Sequence, residues 1–139
     1  AVLAAQGENP AHAAGAVAAL KRWIEQPDWN TILPAYSRCV RITRDLSERF
    51  PVNPAALGEP AEWDLLQALE QAEAAPRQPG SVDDMLGAFL PMIPVINTFF
   101  ESVLVMAEDL SQRQNRLGML QRIAALAHGV ADFSKLEGF

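Results

Sequence analysis

The chain is short of the residues that carry covalent or metal chemistry. Among 139 residues there is one cysteine, Cys39, and there are two histidines, His12 and His128, so an internal disulfide is impossible and a thiolate or imidazole metal cage cannot be assembled. No Glu-x-x-His or Cys-x-x-Cys pair occurs, and no glycine-rich loop leads into a helix, which removes the common metal, redox and phosphate-cradling motifs. The acidic pairs Asp83-Asp84 and Glu108-Asp109 fall at helix starts, where the helix dipole explains them without acid–base work. The expectation is therefore no catalytic residue, no metal and no cofactor within this chain. A lone cysteine agrees with a reducing, cytoplasmic setting and serves best as small core filler.

Long apolar runs are missing too. No uninterrupted stretch approaches the roughly 18 residues that a bilayer span requires, so no membrane partner is expected. Ala1 to Ala5 carries no basic leader, which argues against a signal peptide and reads as a cut made upstream in a longer protein. Positive charge is scarce: 11 Lys and Arg face 17 Asp and Glu, for a net charge of −6. Counted over the whole chain this speaks against nucleic acid, DNA included, because phosphate contacts are made by Lys and Arg. Counted locally the picture changes. From Tyr36 to Phe50 four Arg stand against Asp45 and Glu48, giving +2, and from Leu110 to His128 three Arg meet no acid, giving +3. On charge alone, solvated helix faces are the simpler account of that segregation.

What the chain has in plenty is helix. Half of its residues are apolar, enough for one domain with its own core. Asn9-Pro10 suits a helix opening, and Pro27 ends the helix that follows. Asp28 can cap a second helix in which Pro34 predicts a kink or restart; Ile32, Tyr36, Cys39, Thr43, Leu46 and Phe50 share one face of it at helical spacing. The proline-rich stretch from Pro51 to Pro60 is a loop, followed by a third helix from Ala61 to Ala75. Ser81 with Asp84 and Asp109 with Gln112 have the pattern of capping boxes. Pro91 and Pro94 split an apolar helix into two pieces, Val103 to Met106 reads as a buried helix end, and Gly129 closes the last helix. The fold class is all-α, a bundle of about five to six helices.

Polar residues on two helices stand out. Arg38, Arg41 and Arg44, spaced by three, run along one side of the second helix, clear of its apolar face. Guanidinium groups bind phosphates bidentately and stack on unpaired bases, but pairing with Asp45 and Glu48 would occupy them equally well. On the last helix Arg116 falls within the apolar face, half buried and structural. Gln114, Asn115, Gln121 and Arg122 form its polar strip, suited to base edges or to plain solvent. The large aromatics Trp23, Trp29, Trp63, Phe99 and Phe100 are core residues by their spacing. Tyr36, close to the arginine stripe, is kept as a base-stacking candidate.

Four stretches, AYSRCVRITR (Ala35 to Arg44), NPAALGEPAEWDLLQAL (Asn53 to Leu69), FFESVLVM (Phe99 to Met106) and the tract running on to VADFSKL, resemble in order the C-terminal end of the bacterial glycyl-tRNA synthetase beta subunit. That end is an anticodon-binding domain of the DALR type. The resemblance implies that residues 1–139 are a single all-helical anticodon-binding domain with a core at about 10–136, a fragment of a larger enzyme whose beta part is either a separate subunit or fused to the alpha part. It further implies that this domain holds the anticodon stem-loop of tRNA(Gly), while the class II catalytic alpha part joins glycine to the tRNA with ATP and the remaining beta part completes the synthetase. The candidate tRNA-binding residues are Arg38, Arg41, Arg44, Tyr36, Asn115 and Arg122. Glycine codons begin with GG, so the matching anticodons share two cytosines, whose readers must combine an acceptor with Arg, Asn or Gln donors. Asn115 and the arginine stripe supply donors; the acceptor is not identified. Alternatives are the related domain of an arginyl-type synthetase and a helical protein-interaction module that binds no RNA.

Overall fold

The computed structural model describes Val2 and residues 10–139; the expected cap at Asn9 lies outside the described residues. Helix α1 spans Pro10–Ile24, α2 Trp29–Thr43, α3 Pro60–Ala74, α4 Val82–Phe89, α5 Ile93–Ser102 and α6 Leu110–Ala124. There is no strand among the described residues, in keeping with an all-α bundle. Helix α2 makes its broadest contact with α6, and α3 lies against α5 and α6. The buried side chains form one cluster, centred on Phe89, Phe99, Leu65, Leu69, Met119, Leu120 and Ile123.

Helix α2 runs unbroken through Pro34, without the expected restart, and stops at Thr43. Leu46 and Phe50 therefore lie beyond the helix, yet both pack half-buried against the core from an irregular segment. The expected split at Pro91 and Pro94 occurs as a single tightened turn, Leu90–Met92, that links α4 to α5. The resulting 21-residue run Val82–Ser102 is long and apolar enough to cross a membrane by length and composition alone. Its inward face, with Met85, Leu86, Phe89, Met92, Ile96 and Phe99, is buried, while Asp83, Asn97, Thr98 and Glu101 face outward. That two-sided pattern is the one a core helix shows.

Val103 to Met106 is not a helix end. The backbone turns extended at Val103 (φ −126°, ψ 131°), and burial then alternates: Val103, Val105 and Ala107 point in while Leu104 and Met106 point out. The β-branched side chain of Val103 favours this conformation. Three caps differ from expectation. At the start of α2 Asp28 makes no side-chain cap bond. Ser81 Oγ accepts from the Asp84 N–H, but the Asp84 carboxylate accepts from the Gln78 N–H rather than closing a box; at Asp109 the cap bond is the one from Gln112 N–H. A back-reaching carboxylate does occur at the start of α3, where Glu62 Oε1 accepts from the N–H groups of Glu59 (2.9 Å) and Gly58 (3.3 Å).

Glu62 has a second duty. Its Oε2 accepts from Arg116 Nε at 3.1 Å, and Arg116 Nη1 donates to the Leu104 carbonyl at 2.7 Å. Arg116 goes deeper than half-burial, and both side chains are almost wholly buried. One guanidinium thus ties α6 to the start of α3 and to the irregular 103–107 segment. Burial pushes the Cys39 thiol up to about 12, which keeps it a neutral core group.

Candidate nucleic-acid interface

Of the polar strip expected on α6, Asn115 and Gln121 are turned inward while Gln114 and Arg122 stay part-exposed. Asn115 is 3% exposed: its Oδ1 accepts from the Asn53 N–H at 2.7 Å and its Nδ2 donates to the Asn53 carbonyl at 3.0 Å. Gln121, six residues on, repeats the arrangement, accepting from the Phe50 N–H at 3.0 Å and donating to the Glu48 carbonyl at 2.7 Å. Between them sits Gly118, where an added Cβ would lie 2.4 Å from the Phe50 carbonyl oxygen. The stretch Glu48–Asn53 is therefore a strap pressed onto α6, held by two side-chain amides and admitted by a missing side chain. Both amides are spent on backbone that has no ladder partner of its own, so the buried Asn115 is not available to a base. Arg122 is engaged as well, donating from Nε to Glu73 at 3.0 Å and from Nη2 to the other carboxylate oxygen; its hydrogen bond to Glu73 raises its basicity further.

Tyr36 is core. It is 4% exposed, its hydroxyl donates to the Ala124 carbonyl at 2.5 Å, and its ring meets Phe89 and Phe133 edge-on at 5.5 and 5.3 Å. Burial pushes its phenol well above the ordinary range, so it is a neutral donor closing one of the orphan carbonyls at the end of α6. No ring face remains for a base. Of the other aromatics, Trp63 alone departs from the expected core placement: it is 48% exposed, with its indole N–H on the Leu57 carbonyl.

The arginine stripe has the opposite fate. Arg38, Arg41 and Arg44 are all exposed. Arg38 lies with its guanidinium carbon 4.2 Å from the centre of the Phe100 ring, oriented but still facing water. Arg41 and Arg44 form no ion pair with Asp45 or Glu48, the only pairs among the described residues being Arg22–Asp83, Arg116–Glu62 and Arg122–Glu73.

The strap carries one more cation to this face. Arg49, exposed and unpaired among the described residues, joins Arg44 on the rim of a cleft of about 670 Å³. Val40, Tyr36, Ala124, Phe133, His128, Asp132 and Ser134 also line the cleft. Asp132 Oδ1 caps the short turn Phe133–Lys135, accepting from the Ser134 N–H at 3.1 Å and from the Ser134 hydroxyl. Sequence reasoning missed Arg49, His128 and Asp132 as one group, because 79 residues separate Arg49 from His128 and nothing local links them. The available signals were the capping pattern Asp-x-Ser at Asp132 and, for the strap, the three-residue spacing of Asn115, Gly118 and Gln121.

Comparison with known proteins now gives the arrangement a context. No family model matches the chain. The glycine--tRNA ligase beta subunit of Anaeromyxobacter dehalogenans strain 2CP-C is 37% identical over 142 aligned positions that cover 99% of this chain. The proteins of the same name from Moorella thermoacetica and Myxococcus xanthus are each 35% identical, over 98% and 99% of the chain. The chain is homologous to one segment of the glycine--tRNA ligase beta subunit. It spans about one fifth of the length of these curated relatives.

Proposed function

We propose that this segment of a glycine--tRNA ligase binds the anticodon stem-loop of tRNA(Gly) in the manner of a DALR-type domain. The ATP-dependent joining of glycine then takes place in the catalytic alpha part, with the remaining beta part as the other partner, in the cytoplasm. The observation that carries the reading is a cationic face, without an ion pair among the described residues, on an otherwise acidic chain: Arg38 and Arg41 exposed on α2, Arg44 at its C-terminal cap, and Arg49 lining the same cleft as Arg44. Exposed arginines without acidic partners are costly in neither stability nor solvation and are free to exchange water and counterions for phosphate. The names of the relatives favour glycine over the arginyl-type alternative.

The test is titration of the chain with a tRNA(Gly) anticodon stem-loop across a range of salt. The double reversal Arg41→Glu/Arg44→Glu should weaken binding and lower the salt slope by roughly 0.7 to 0.9 for each phosphate that is no longer neutralised, with helical content unchanged. Unaltered affinity and slope in that variant would return the stripe to the status of a solvated face.

A further inference from the structure

We propose that the cleft beside the stripe receives one unstacked cytosine of the bound RNA loop, with Asp132 as the acceptor that reads its exocyclic amine. The proposal deepens the anticodon-binding reading and rests on it.

The cleft is built for a base rather than for a phosphate alone. Its volume of about 670 Å³ is ample for one base, and Val40, Ala124 and Phe133 give its lining apolar surface. Two cations, Arg44 and Arg49, and one carboxylate, Asp132, line it together. An anion in a pure phosphate site would be repulsive, so Asp132 calls for a ligand that brings a hydrogen-bond donor of its own. His128, exposed at the mouth, offers a flat ring of the kind on which splayed-out bases stack.

The hydrogen-bond inventory narrows the base. Asp132 Oδ1 already accepts twice from Ser134, whereas Oδ2 accepts no hydrogen bond and no ion pair reaches the carboxylate among the described residues. One free oxygen matches one amine. Guanine would present two adjacent donors and ask for both oxygens, uracil would turn a carbonyl toward the carboxylate, and adenine would bring its N6 amine but only one neighbouring acceptor, N1, for a guanidinium fork. Cytosine presents its N4 amine followed by the acceptors N3 and O2, and a forked guanidinium can serve those two acceptors together. The cleft therefore supplies the acceptor that cytosine reading needs, next to donors on the cationic rim.

The experiment titrates the chain with tRNA(Gly) anticodon stem-loops in which each loop cytosine is replaced singly by uracil. The starting chain should prefer cytosine at one position by about 5- to 100-fold, the discrimination expected of a good directional base contact. Asp132→Asn keeps the Oδ1 cap on Ser134 but puts an amide N–H where Oδ2 was, so the cytosine-to-uracil ratio should fall to about onefold or invert. Ala125→Phe plugs the cleft from an exposed position and should abolish the preference while keeping the salt slope set by the stripe. It also carries the test should Asp132→Asn fail to fold. Failure of the starting chain to bind any stem-loop would sink the anticodon reading itself. Binding with no base preference, or a preference that survives either variant, would overturn the cleft proposal and leave that reading standing.

Discussion

The arginine face of α2 and the amide face of α6 are alike as sequence patterns and opposite as structure. Each is a set of polar side chains at helical spacing with few acids nearby, and each is suited on paper to hydrogen-bond RNA. In the folded chain α6 spends its amides on the 48–53 strap, whereas α2 leaves Arg41 and Arg44 with no partner among the described residues. The difference is made by what lands on the helix. An extended segment has N–H and C=O groups to satisfy, and a helix with Asn and Gln flanking a glycine offers donors, acceptors and room at once. A stripe of arginines offers donors only and no close approach, so backbone has no reason to settle there.

The inward face should break first and hardest. Arg116→Ala removes one member of a buried ion pair and strands Glu62, 1% exposed at its side chain, so a loss of about 3–5 kcal/mol is expected. That exceeds what a half-buried arginine would cost. Urea unfolding measures it. A loss below about 1 kcal/mol would mean the pair is far more solvated than its geometry implies.

Next comes the strap. Gly118→Ala places a Cβ against the Phe50 carbonyl oxygen, a backbone atom that cannot rotate away, and the expected cost is about 1–3 kcal/mol from overpacking. Because the strap bears Arg49, the variant should also weaken stem-loop binding in proportion to Arg49's contribution, a coupling no arginine-stripe variant shows. Asn115→Ala leaves the Asn53 N–H and carbonyl without their partner, at about 1–2 kcal/mol, and is expected to leave base preference unchanged. A change in preference with wild-type stability would reverse the assignment of Asn115 as a clamp.

These contrasts mark where sequence was readable. Helix positions followed from apolar spacing and from Pro27, the Pro51–Pro60 tract and the Asp109 cap, because those signals are local. Arg116 was recognisable as structural since it interrupts an apolar face, which only a buried partner can justify. The partner, Glu62, was not recognisable: it lies 54 residues away and looks like any acidic residue in a helix's first turn. The same distance hid the cleft, assembled from the end of α2, the strap and the segment after α6. Val103 and Val105 lie outside any helix, in an irregular segment with alternating burial that needs no pairing strand because Arg116, distant in sequence, takes the Leu104 carbonyl.

The smallest expected effect separates members of the free face from one another. Arg38 rests on the Phe100 ring, while Arg41, one turn on, touches no aromatic ring among the described residues. A cation over an aromatic face at an exposed site contributes about 0.5–1 kcal/mol, so Arg38→Ala should lower the unfolding free energy by that amount and Arg41→Ala by nothing measurable. In stem-loop titrations the same order should hold. Arg41 is unrestrained and reaches phosphate at an entropic cost, whereas Arg38 is already oriented by the ring and gives up less freedom on binding. If both contact phosphate, the loss for Arg38→Ala should equal or exceed that for Arg41→Ala, and Phe100→Leu should reduce affinity through Arg38 alone. Additive losses in the Arg38→Ala/Phe100→Leu double variant would show that the ring does nothing to prepare the arginine for RNA.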